Sequence, residues 1–146
     1  MLRRKSYNVT RYLWLRQPRP NLPLKLHLTG SGNLNLFTAY GDDYVAVNGR
    51  RFGKSVIVMP DRVVEDWGAG GFDALSAEHM AALAGLDREI VLLGTGNVLR
   101  FPRPELMRPL AQAGLGIEVM DRKAACRTYN ILASEGRRVA AALLFD

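Results

Sequence analysis

The 146-residue sequence predicts a single α/β domain with a mixed, partly parallel sheet, a β-hairpin region toward its N-terminus and three helices. Three observations carry that expectation. Residues 115–145, LGIEVMDRKAACRTYNILASEGRRVAAALLF, read as strand, capped helix and strand, and that succession implies parallel neighbours joined by a crossover helix. Residues 35–59 alternate short apolar runs with turn signals, among them Asn48-Gly49, a pair suited to a two-residue hairpin turn because both central positions need positive φ. An apolar content of 48% in a chain this long supports one core and leaves too few residues for two ordinary domains.

Taken in order, residues 1–23 form a basic arm with three prolines in the six residues 18–23 and no sustained period, interrupted by the apolar block Tyr12, Leu13, Trp14 and Leu15. The domain is expected over 24–146. Leu24, Leu26 and Leu28 alternate with Lys25 and His27, the period of a half-buried strand. Residues 35–40 and 44–47 pair across Gly41-Asp42-Asp43, a strand over 55–59 stops at Pro60, and 63–67 adds a short strand before the glycine loop 68–71. Ser76 caps a helix running to about Gly85. A strand over 89–93 exits through Gly94-Thr95-Gly96-Asn97. Residues 104–113 are helical in composition, with Pro109 predicting a kink or a late start because proline removes a backbone donor. The chain closes with a strand over 116–120, a helix over 121–135 stopped at Gly136, and a strand over 138–145.

The formal charge of +6 is unevenly placed. Residues 1–41 carry seven bases and no acid, whereas the remainder carries thirteen bases against fourteen acids. A nearly neutral domain gives no general affinity for phosphate backbones, so attachment to nucleic acid or to an anionic membrane has only the arm to rest on. No apolar run approaches the roughly 18 residues of a membrane span. The single cysteine, Cys126, excludes an internal disulfide, and His27 and His79 have no metal-ligand spacing, so neither a metal nor a cofactor is expected. A cytoplasmic location fits the reduced thiol; the Arg-rich start also fits a transit peptide into the mitochondrial matrix, or a misassigned start.

Candidate chemistry gathers where parallel strands end, because open sheets bind ligands in the crevice beyond their carboxyl edges. Thr95 and Asn97 follow one strand, and Asp121 follows the next with Arg127 on its helix, so these four are the candidate ligand-binding set. The bland reading gives the glycines a turn and Asp121 a helix cap. Gly94-Thr95-Gly96 lacks the third glycine of a dinucleotide loop, Ser31 lacks the spacing of a nucleophile elbow, and the acid pairs Asp42-Asp43 and Glu65-Asp66 point their members apart, so no catalytic residue is assigned. On the helix 121–135, Ala124, Ala125, Ile131 and Leu132 are expected against the sheet. Cys126 and Asn130 then point away from it, with Arg127 and Tyr129 on the flanks, which makes Cys126, Tyr129 and Asn130 a candidate partner surface.

Gly116-Ile117-Glu118-Val119-Met120-Asp121, followed by Ala124-Ala125-Cys126-Arg127-Thr128-Tyr129-Asn130-Ile131-Leu132 and Glu135-Gly136-Arg137, resembles the domain-of-unknown-function family 498/598. Asn48-Gly49 with Phe52, the strand ending at Pro60, Trp67, Gly94-Thr95-Gly96 and Phe101-Pro102 support the likeness over about 24–146. The resemblance implies a compact α/β domain, related to a mitochondrial assembly factor for respiratory complex I. It maps recurring polar positions onto Thr95, Asp121, Arg127, Tyr129 and Asn130. The resulting expectation is a binding or assembly-type module acting on a protein partner, such as one belonging to a respiratory or membrane complex, with a small-molecule site or enzyme at the strand-end crevice as the alternative.

Overall fold

The structure is a computed structural model and describes residues 34–67 and 70–146. The basic arm, the strand expected at 24–28 and Ser31 lie outside the described residues.

Strands β1 (Phe37–Tyr40), β2 (Val45–Val47) and β3 (Arg50–Phe52) form an antiparallel meander. Asn48 and Gly49 take φ of 50° and 89°, so the turn between β2 and β3 has both positive angles that its residues are suited to. A second sheet contains β4 (Val56–Met59), β5 (Arg62–Glu65), β6 (Ile90–Gly94), β7 (Gly116–Met120) and β8 (Val139–Leu143) in the order β5-β4-β8-β6-β7. Its β6, β7 and β8 are mutually parallel where they pair, while β4 runs antiparallel to both β5 and β8, so the sheet is mixed as expected.

Among the described residues, three α-helices follow the same logic. Helix α1 (Ala77–Ala84) starts with a capping box in which the Ser76 hydroxyl accepts from the His79 amide and the His79 ring accepts from the Ser76 amide at 3.0 Å. That use accounts for His79, which also packs edge-on against Trp67. Helix α2 (Pro104–Gln112) begins at Pro104 and carries Pro109 inside it, so the late start does not occur. The carbonyl that Pro109 leaves without a donor is that of Glu105, in the exposed first turn where water can satisfy it. Helix α3 (Arg122–Ser134) is capped by Asp121, whose carboxylate accepts from the Ala124 amide at 2.9 Å.

The two crossovers leave the parallel strands in opposite lateral directions, from β6 outward to β7 and from β7 back past β6 to β8. Right-handed connections of that kind place α2 and α3 on opposite faces. The core divides accordingly. Val56, Val58, Leu92, Ala141 and Leu143 face α3 and the meander, whereas Ile57, Met59, Val91, Leu93, Ala140 and Ala142 face α1 and α2. Helix α3 is therefore enclosed between two sheets, resting on β6 and β8 on one side and β1 on the other.

Candidate functional site

At the carboxyl edge of the parallel strands, the chain's own groups fill the place where a ligand was expected. The centre is Arg122, the first residue of α3, which is only 1% exposed. Its guanidinium donates to the Leu144 carbonyl at 3.0 Å, to the Asn97 side-chain oxygen at 3.0 Å and to the Asp42 carbonyl, and it lies 4.2 Å over the Phe145 ring. One side chain thus ties α3 to the exit of β6, the end of β8 and the turn before β2. Burial holds its pKa below the ordinary arginine value, offset in part by the negative charge of Asp146. No carboxylate among the described residues forms an ion pair with it; carbonyl and amide dipoles stabilise the charge instead.

The glycines on either side of Thr95 serve the same closure. A Cβ on Gly94 would meet Leu143 Cδ2 at 2.8 Å and the Arg122 Cα at 3.1 Å, so glycine there lets α3 approach β6. Gly96 has φ of 112°, and its carbonyl accepts from the Arg122 amide at 2.7 Å. Thr95 is buried, with its hydroxyl donating to the Val98 carbonyl at 2.7 Å and accepting from the Arg100 amide at 3.1 Å. The Asn97 amide faces the Asp146 carboxylate at 3.5 Å.

Of the four candidate ligand residues, Thr95, Asn97 and Asp121 do lie on one edge, but each is committed to an internal role: loop cap, acceptor for Arg122 and helix cap. Arg127 is exposed on α3, away from them. Arg122, which organises the edge, was not among the candidates. Lys123 beside it pairs with Asp42 at 2.8 Å, and that hydrogen bond, followed by the ammonium charge, lowers the Asp42 pKa.

The expected outward face of α3 requires correction. Cys126 and Tyr129 are fully buried, while Ile131, expected in the core, is 40% exposed. The cause is the meander, which covers the side of α3 turned away from the five-stranded sheet. Asn130 pairs with the backbone of Phe37 on both sides of its amide, accepting from the nitrogen at 2.9 Å and donating to the oxygen at 2.9 Å. The Tyr129 hydroxyl donates to the Asn35 carbonyl at 2.9 Å, and its ring meets Phe37 edge-on at 5.2 Å. Burial pushes the Cys126 thiol up to about 12 and raises the Tyr129 phenol as well, which leaves neither poised as a nucleophile.

An open depression of about 500 Å³ lies elsewhere, between the ends of β3 and β5, lined by Arg51, Phe52, Lys54, Ser55, Glu65 and Asp66. Nothing in the sequence pattern marked it. Its charged residues come from two hairpins whose juxtaposition depends on how the two sheets pack.

With this geometry in view, the family profile described as "Protein of unknown function (DUF498/DUF598)" matches residues 37–144, from β1 to just past β8. The chain belongs to the DUF498/DUF598 family. Similar solved structures include a protein of Bordetella parapertussis, 44% identical, superposing with a TM-score of 0.72 over 77% of this chain and 97% of that one. A protein of Xanthomonas campestris, 39% identical, gives a TM-score of 0.69 over 75% of this chain and 83% of its own. Among curated relatives, the NADH dehydrogenase [ubiquinone] 1 alpha subcomplex assembly factor 3 of Bos taurus is 33% identical over 108 residues, which is 73% of this chain. The match spans 58% of that relative's length. The family relation extends to an assembly factor, and among the described residues no helix is long and apolar enough to cross a membrane.

Proposed function

We propose that this DUF498/DUF598 domain is a binding module that engages a protein partner during the assembly of a larger complex. The observation that carries this reading is the closed strand edge. Both terminal nitrogens of the Arg122 guanidinium are taken up by the Leu144 and Asp42 carbonyls and the Asn97 side chain, which favours the outer surface over a strand-end crevice as the place where the chain acts. The likeness to the bovine assembly factor supports the same direction. Helix α3 supplies a surface of suitable kind, although with other residues than the sequence suggested. Arg127 and Ile131, four positions apart on one face, are both exposed, and a cation beside an apolar side chain is a common contact composition.

The test is affinity isolation of the full chain from its native cells, with and without the double substitution Arg127→Glu and Ile131→Asp. A stoichiometric partner that the double variant loses, with thermal unfolding unchanged, is the expected result. Retention of the same partner by the variant would remove α3 from the interface. The depression beside Asp66 favours a second reading, a small ligand bearing both charges, because Arg51 and Lys54 line it together with Glu65 and Asp66. Screening zwitterionic metabolites for a rise in melting temperature tests that reading, and a rise abolished by Lys54→Ala is its expected signature.

A further inference from the structure

The loop between β6 and α2 displays apolar side chains in a way the rest of the molecule does not. Among the described residues four large hydrophobic side chains are exposed, and three of them fall within four positions here: Val98 at 63%, Leu99 at 46% and Phe101 at 71%. Such clustering calls for a contact, since isolated exposed apolar residues are ordinary and adjacent ones are not.

The display is built rather than slack. The Thr95 hydroxyl, itself buried, fixes both the Val98 carbonyl and the Arg100 amide. Pro102 is buried between the exposed positions, and the Arg100 guanidinium lies 4.3 Å over the Phe72 ring and 3.5 Å from Asp73. Burying the loop's hydroxyl anchor while exposing its apolar tips is the reverse of what folding alone would favour.

We propose that this loop seats the protein on an anionic lipid surface, with Val98, Leu99 and Phe101 entering the boundary of the acyl region and the neighbouring arginines meeting lipid phosphates. Size and charge favour a bilayer over a second protein. Three side chains fall well short of the roughly 800 Å² that each partner contributes to a stable protein interface. A short apolar tip flanked by cations is enough for interfacial attachment, where buried area and attraction to anionic lipid act together. Arg100 is partly exposed, Arg103 is exposed two residues beyond Phe101, and Arg108 is exposed on the following helix; Arg103 and Arg108 form no ion pair among the described residues. The nearby acids are Asp73, paired with Arg100, Glu105 in the first turn of α2, and Asp146, whose carboxylate faces the Asn97 amide at the start of the loop. The seven bases and no acid of residues 1–41 add attraction of the same sign. This attachment is independent of which protein partner the domain engages.

The experiment uses the full chain and unilamellar vesicles, either of phosphatidylcholine alone or of phosphatidylcholine with an equal part of phosphatidylglycerol. Sedimentation is expected with the anionic vesicles, to weaken with added salt, and to fall at least tenfold in the double variant Val98→Ser and Phe101→Ser, whose melting temperature should match the parent's. A Phe101→Trp variant should shift its emission to the blue on anionic vesicles and be quenched by brominated acyl chains. No binding to either vesicle overturns the proposal, as does equal binding to both. Binding that the double serine variant retains, with no quenching of Trp at 101, also overturns it and assigns attachment to the basic arm. Loss of a protein complex in the serine variant, without vesicle binding by the parent, overturns it in favour of a protein contact.

Discussion

Asn130 shows how a side chain that looks available in sequence can be spent inside the fold. Its amide occupies the donor and acceptor of Phe37 as a neighbouring strand would, so α3 and β1 are joined by two bonds from one residue. Asn130→Asp keeps the shape but replaces the donor to the Phe37 carbonyl with a carboxylate oxygen. A loss of about 2 kcal/mol in urea unfolding is expected, in the range for a buried acceptor left without its donor. Cys126 gives a second prediction at this scale. Its thiol ordinarily ionises near 9.0 and is pushed up to about 12 in the fold, so the native state holds its proton where the unfolded state has lost it. The stabilisation from that retained proton is fully present below about pH 9 and is lost as pH climbs toward 12, at no more than about 1.4 kcal/mol per pH unit for one proton. Urea midpoints measured at pH 8 and pH 10.5 should fall more steeply for the parent than for Cys126→Ala. Thiol-specific reagents at pH 8 should label Cys126 only at the rate of unfolding.

Elements were legible where capping and periodicity agreed. Ser76, Asp121 and Gly136 mark helix boundaries because each has a local physical role, and Asn48-Gly49 marks a turn for the same reason. The face of α3 was not read correctly, although its signal was present. The stripe Arg122, Ala125, Cys126, Tyr129, Leu132 and Ala133 is apolar at five of six positions. The stripe Asp121, Ala124, Ala125, Thr128, Ile131, Leu132 and Glu135, offset from it by one residue, is apolar at four of seven. Arg122 obscured the better stripe, because a charged residue at the first position of a helix ordinarily points to water. The close packing of α3 on β6 supplies a prediction at this scale. In Gly94→Ala the new methyl must displace the end of Leu143 and press on the backbone of Arg122 and the Ala125 methyl. Overpacking of that kind should cost about 1–3 kcal/mol, read as a lower melting temperature.

At the scale of the whole molecule, the order β5-β4-β8-β6-β7 and the stacking of the meander over α3 arise from contacts between residues far apart in sequence. Periodicity could give the faces of individual strands but not that third layer. That gap is why Cys126, Tyr129 and Asn130 read as a surface, whereas Cys126 and Tyr129 are buried and Asn130 is half-buried against β1. The strand-end edge is filled by Arg122, whose guanidinium reaches Asp42, eighty positions away in the chain, a contact that periodicity does not reveal. The same packing leaves the α3 ridge and the Val98–Phe101 loop as the outward features on which the proposed roles depend.

The central claim is that the carboxyl edge of the sheet is closed by Arg122 for the sake of the fold, and urea unfolding of Arg122→Met tests it most directly. Methionine approximates the volume but cannot donate to Leu144, Asn97 or Asp42, and a loss of about 2–4 kcal/mol is predicted from the acceptors left without partners. Unchanged or greater stability would contradict the account. A buried charge whose removal costs the fold nothing is one retained for a ligand, and the edge carrying Thr95, Asn97 and Asp121 would then be a binding site after all.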